Sequence, residues 1–200
     1  MDTHLSWKDH VRELTKTLRP LVGILSRLRK RVPENVKKLI YYSMIHSRLT
    51  YMVEVWGAAA TSNLKTIQIL QNRALCSVFD IEYMTPRQTI YGNMVGKILP
   101  VRGLYQKGII QFVYKNLNSS LTSNIVFQTA SHRYGTRNRY DLVTSHSETN
   151  YGLSRPTVVG PGLYNSLPVE VRQSQSYAHF KQGLHCFLSS AEKLATFLTY

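Results

Sequence analysis

Eleven acidic side chains are spread along the 200 residues. None forms an Asp-Asp step, and no pair of carboxylates reads as a magnesium-chelating set. Phosphate-cradling GxxxxGK[ST], the GxSxG nucleophile elbow and the zinc-binding HExxH are all lacking. His132, His146, His179 and His185 are scattered, with no cysteine or carboxylate completing a ligand set at zinc spacing. Ser26 and Cys76 are the candidate nucleophiles, and neither has an arguable base. The sequence predicts no catalytic residue, no metal ligand and no cofactor held by this chain. Alone, it does not read as a complete active site.

Its cations are better organised. Lys and Arg number 25 against 11 Asp and Glu, for a net charge of +14 and a pI near 9.9. Such a balance favours polyanionic partners, nucleic acid first and an anionic membrane surface second. Residues 1–50 hold 11 Lys and Arg against 4 acids, whereas residues 51–100 hold 4 against 3. On a helix, Lys8, Arg12, Lys16, Arg19, Arg27, Lys30 and Arg31 form a stripe roughly a quarter turn from an apolar seam. Lys37 and Lys38 extend it. One reading is a solvated face, with Arg27 to Arg31 serving the last carbonyls of a helix. The other is a row lying along phosphates, favoured by the scarcity of acidic partners four residues away. A second basic cluster, HRYGTRNRY, interleaves Arg133, Arg137 and Arg139 with Tyr134 and Tyr140. Guanidinium forks suit phosphates and tyrosines can stack on unpaired bases, although a surface loop docked by its tyrosines would look the same.

Two helices must position the first cluster. From Leu5 to Trp56 the spacing reads as an amphipathic pair joined at Pro33. Ser6 with Asp9 suggests an N-terminal cap. Trp7, Val11, Leu14, Leu18, Leu21, Leu25, Leu28 and Val32 form the seam, and Pro20 and Gly23 suggest a kink. Val36, Leu39, Ile40, Ser43, Met44 and Ser47 are the expected inward face of the second helix. Tyr51 and Trp56 are expected core anchors.

Beyond this pair, a buried helix is expected from Thr61 or Ser62 through Phe79, and a short one near Pro86. A longer helix should run from Pro100 to Leu117. From Asn118 the texture becomes polar and turn-rich. An extended arm is expected there, with one or two short strands such as 140–143 and 157–159. A short helix after Leu167 and a last one from Tyr177 to about Leu188, with room to extend through Leu198, complete the chain. The fold class is mainly α: a helical bundle, a further helical region, a long arm and a C-terminal helix. The expected divisions are 1–58, 59–118, 119–165 and 166–200.

With 43% hydrophobic residues, the chain can bury a core and is not a disordered tail. Cys76 and Cys186 are its only cysteines, which argues against a disulfide framework. No apolar run reaches the ~20 residues that span a bilayer, and the N-terminus lacks a signal-peptide pattern. The expected setting is inside the cell, nucleus or cytoplasm, with no membrane.

The order of motifs is also informative. LSWKDHV, LSRLRKRVP, YYSMIHSRLTYMVEVWG, IQILQNRAL, HRYGTR, GPGLYNSLPVEVR and SYAHFKQGLHCFL, in that order, resemble the C-terminal part of non-LTR retrotransposon reverse transcriptases of the jockey and CR1 type. Each is weak alone; seven in order are specific. The resemblance implies that residues 6–56 are a thumb-like unit gripping an RNA–DNA template–primer duplex. Lys8, Arg12, Lys16, Arg27, Lys30, Arg31, Lys37 and Lys38 would be its backbone contacts, and Arg133, Arg137 and Arg139 a second set. It also implies that the palm and fingers, with the Asp-Asp pair and its magnesium, lie upstream of Met1, so that the chain would be a fragment inactive alone. Asp2 and Leu5 match the tail of the block preceding the thumb.

Three departures stand out: Met52 where the family usually has glycine after the tyrosine, Pro20 within the first thumb helix, and Tyr164 for a usual tryptophan. Two other functions fit the same residues, namely a stand-alone helical RNA- or DNA-binding protein and a non-binding relic or interaction bundle.

Overall fold

The computed structural model describes residues 6–92, 98–118, 127–129 and 141–190. The HRYGTRNRY cluster and any continuation of the last helix toward Leu198 lie outside them. The described chain is mainly helical, as the periodicity predicts. It divides into two compact units, residues 1–105 with 188–200, and residues 106–187.

The first unit is organised on the pairing of α1 (Lys8–Leu28) with α5 (Thr61–Val78). Buried Val11, Thr15, Leu18, Val22 and Leu25 form the α1 stripe, stepping by four and three as a helix packed on one side requires. It narrows the expected seam: Leu14, Leu21 and Leu28 sit on its margin, half-buried. Pro20 lies inside α1, yet the helix continues through it, so the chain does not break there. The start also differs. Trp7, with φ 56°, occupies the cap position without a side-chain cap bond. Ser6 stands one residue outside, accepting from the Lys8 N–H at 3.4 Å, and Asp9 pairs with Arg12 instead.

The second rod comprises α2 (Glu34–Ile40), a π-helical segment (Tyr41–His46) and α3 (Ser47–Thr50). Its inward face is Lys37, Tyr41, Ile45 and Leu49, and not the predicted one. Leu39 is 68% exposed, and Val36 and Met44 also face solvent. The reason lies in the helical period. In an α-helix each four-residue step drifts by about 40° at 3.6 residues per turn. The wider π turn absorbs that drift, so positions four apart stay on one face. Reading with a uniform α period selects the neighbouring face.

After α3 the chain turns sharply into α4 (Val53–Trp56). Trp56 is buried and donates its indole N–H to the Tyr51 carbonyl at 2.8 Å. Tyr51 itself is exposed, not a core anchor. Met52 holds the turn with φ 47°, a left-handed conformation that costs a residue with a Cβ about 1–2 kcal/mol. That is the position where the resemblance expects glycine. Met52→Gly should therefore stabilise the chain by about 0.5–1 kcal/mol after the added flexibility of the unfolded chain is subtracted, read as a higher melting temperature. An unchanged or lower melting temperature would show that the turn is not strained.

Glutamines on α5 join it to α6 (Arg87–Tyr91) and α7 (Val101–Asn118). Gln68 donates to the Tyr91 hydroxyl at 2.8 Å, while its carbonyl oxygen accepts from the Val101 N–H at 2.9 Å. A first-turn donor of α7, which has no partner within its own helix, is thereby satisfied. Gln71, fully buried, donates to the Leu99 carbonyl at 2.9 Å and to the Tyr41 hydroxyl at 3.2 Å. Burial drives the Tyr41 phenol pKa upward, so it stays protonated and in the network.

The second unit contains α8 (Asn150–Leu153), α9 (Pro156–Asn165), α10 (Val169–Arg172) and most of α11 (Tyr177–Leu188). The expected strand at 157–159 is instead the opening of α9. Pro156 occupies the first helical position after an extended Arg155, which favours a helix start. Gly160 brings α9 close to α7: a Cβ there would lie 2.6 Å from a Val113 methyl. At 142 the arm holds one isolated bridge to Thr129. The Asn165 amide both donates to and accepts from the Leu142 backbone at 2.9 Å. Buried Tyr164 lies beside Phe180, which stacks on Tyr114 at 3.7 Å. The position that departs from tryptophan is thus an aromatic core site.

Candidate nucleic-acid interface

The cations of α1 and of the turn after it lie on the side left free by the packing stripe. Lys8, Arg12, Lys16, Arg27, Lys30 and Arg31 are all exposed. Arg12 pairs with Asp9 at 3.0 Å and Lys16 with Glu13 at 2.8 Å. Both are pairs within one helix between exposed groups, typically worth about 0–1 kcal/mol, so neither holds its cation away from a stronger anionic partner. The Lys16 hydrogen bond and charge pull the Glu13 carboxyl below its ordinary pKa. The charged side-chain ends of Lys8, Arg27, Lys30 and Arg31 have no partner among the described residues. Lys38 is half-buried, 2.6 Å from Glu34 and 5.0 Å from the Phe79 ring centroid.

Lys37 departs from the sequence expectation. Its side chain is 0% exposed, with Nζ 2.7 Å from an Asp80 carboxylate oxygen. A cation sealed in this way cannot lie on a phosphate backbone, so Lys37 leaves the set of contacts. What sequence reasoning missed is its partner, 43 residues downstream in a left-handed turn at φ 57°. Asp80 also receives a backbone hydrogen bond from Lys30 and stands 3.9 Å from the Arg29 guanidinium. One carboxylate thereby fixes the end of α1, the start of α2 and the end of α5. The Lys37 hydrogen bond leads in drawing its pKa down, with the Lys37 charge, Lys30 and Arg29 adding to it.

Arg29 is half-buried and structural. It donates to the Ile81 carbonyl at 2.8 Å and lies 4.8 Å from the Tyr83 ring centroid. Fixed from below by Arg29 and Asp80, the α1–α2 turn presents Arg27, Lys30 and Arg31 outward. Lys30 adopts φ 61°. Along α1 the cations alternate with Asp9 and Glu13, whereas Arg27, Lys30 and Arg31 form a one-sign cluster at its braced end, suited to neutralising phosphates. Arg133, Arg137 and Arg139 lie outside the described residues. Among the described residues, no group of three His, Cys, Asp or Glu side chains could hold a metal ion. No described helix is long and apolar enough to cross a membrane.

A probable RNA-directed DNA polymerase from transposon BS of Drosophila melanogaster is 26% identical to this chain over 98 residues, covering 47% of the chain and 11% of that protein. The chain is similar to a reverse transcriptase. It spans only a small part of that relative's length. No protein-family model matches the chain, and no solved structure matches it.

Proposed function

We propose that this chain is the duplex-gripping part of a non-LTR retrotransposon reverse transcriptase, with the first unit serving as a thumb. Its ligand is the RNA–DNA template–primer hybrid. Lys8, Arg12, Lys16, Arg27, Lys30, Arg31 and Lys38 contact the phosphate backbone, and Arg133, Arg137 and Arg139 add a second set. The observation that carries this reading is the exposed cluster of Arg27, Lys30 and Arg31 at the end of α1 and on the turn braced by Asp80. Catalytic carboxylates and their magnesium belong, in this reading, to the palm of the parent polymerase, beside its fingers. The metal ligands it would need do not assemble among the described residues.

Titrating a labelled RNA–DNA hybrid with the purified chain at several salt concentrations tests the grip. A log–log salt slope steeper than about −3.6, meaning four or more phosphate contacts at roughly 0.9 displaced counterions each, supports it. A slope near zero overturns it.

A stand-alone nucleic-acid-binding protein is the second reading. What favours it is the first unit's own buried core, from Leu18 and Leu25 to Ile67 and Leu75. An Asp-Asp-bearing palm encoded in frame upstream would reject that alternative.

A further inference from the structure

Between α1 and α5 lies a cleft of about 690 Å³, within the roughly 300–1,000 Å³ range of small-ligand sites. Val22, Gly23, Ile69 and Leu70 give it an apolar floor, and Arg19, Arg73, Ser26 and Tyr83 also line it. The guanidinium groups of Arg19 and Arg73 have no hydrogen-bond or ionic partner among the described residues. They come from two different helices and are not in the set of phosphate contacts proposed above.

The hydroxyls in this wall are occupied. Ser26 donates to the Val22 carbonyl and Ser77 to the Arg73 carbonyl, both at 3.0 Å. The Tyr83 hydroxyl lies 3.3 Å from the Ser26 oxygen and 3.1 Å from that of Ser77. With its phenol end tied down and Arg29 against its ring, Tyr83 is a fixed aromatic wall, 49% exposed. The free donors are therefore guanidinium groups, which suit an anion, while the ring and floor suit a flat apolar body.

Gly23 adds an independent point. A glycine inside a helix costs about as much as any residue short of proline, and packing does not demand one here: a Cβ at Gly23 would meet nothing within 4 Å. Its effect is to keep the cleft open beside the basic row.

We infer that this cleft receives one unpaired nucleotide of a single-stranded nucleic acid. Its base lies on Tyr83 and the apolar floor, and its phosphate is held by Arg19 and Arg73. The inference rests on the nucleic-acid reading above and deepens it: beside the row that follows a duplex, the chain has a pocket for an unpaired residue.

The test compares a short single-stranded RNA with a blunt RNA–DNA hybrid, by fluorescence anisotropy, for wild type, Gly23→Leu, Tyr83→Leu and Tyr83→Phe. Gly23→Leu fills the cleft without changing charge and should melt no lower than wild type. Gly23→Leu and Tyr83→Leu should each lose about tenfold in affinity for the single strand while holding the hybrid within about twofold, and Tyr83→Phe, which keeps the ring, should stay near wild type. If Gly23→Leu binds the single strand as wild type does, or loses both ligands equally, the pocket is overturned while the duplex grip stands. If wild type binds neither ligand, the nucleic-acid reading fails and the pocket falls with it.

Discussion

Asp80→Asn should destabilise the first unit by about 2 kcal/mol, whereas Lys37→Met should stay within about 1 kcal/mol of wild type. The asymmetry follows from burial. Lys37 is sealed with its ammonium on Asp80, so removing the carboxylate leaves a buried charge unpaired, which typically costs 3–5 kcal/mol. We take less than that because Asp80 is itself 43% exposed and water reaches the pair. Asparagine is the appropriate replacement because position 80 has φ 57°, a conformation it tolerates. Methionine replaces the lysine stem with a similar apolar volume and leaves a carboxylate that solvent can hydrate. In the Lys37→Met background, Asp80→Asn should then cost less than about 0.5 kcal/mol, a coupling that a double-mutant cycle in urea reads directly. Equal costs for the two single variants would show that the pair is not the brace.

Acid should expose the same brace. Asp80 has a folded-state pKa below its ordinary value, so its contribution is fully present above the unfolded-state pKa, near 4. As pH falls through the depressed folded value, that contribution is lost. Wild type should therefore lose more stability than Asp80→Asn between about pH 5 and the acid limit. Parallel curves would count against the clamp.

The contrast between Asp80 and the helices shows what the sequence makes legible. The long helices α1, α5 and α7 were readable from apolar recurrence, since burying one stripe is a local demand repeated over many turns. The boundaries of α11 were readable for related local reasons. Lys37 was not. Hydropathy sends a lysine outward, and nothing near it in sequence announces a carboxylate 43 residues away. The π segment compounds this, because the rule that carries the face of Val36, Leu39 and Ile40 on to Ser43, Met44 and Ser47 assumes the period the segment departs from. At α9, Gly160 and Pro161 weaken a helical reading, while the contact of Gly160 with Val113 that rewards the helix is tertiary. The exposed cations of α1 were legible because their spacing alone sets their side of the helix. The cleft was not, since Arg19, Arg73 and Tyr83 meet only when α1 and α5 pack.

Lys37 also becomes an internal control for the grip. Changing Arg27, Lys30, Arg31 and Lys38 together to Gln should lower the salt slope for an RNA–DNA hybrid by up to about 3.6, from about 0.9 per contact. At about 0.15 M salt the same counterion arithmetic gives an affinity loss on the order of a thousandfold when all four touch phosphates. Lys37→Met, which removes the same kind of charge from a buried site, should leave both slope and affinity unchanged. Lys38 is the weakest member, because Glu34 at 2.6 Å must release it, so a slope change nearer three contacts than four is the expected lower figure. A net-charge effect would make Lys37→Met lose its proportionate share of affinity. A grip confined to the exposed row would not, and a quadruple variant that binds with wild-type slope would reduce that row to ordinary solvated surface.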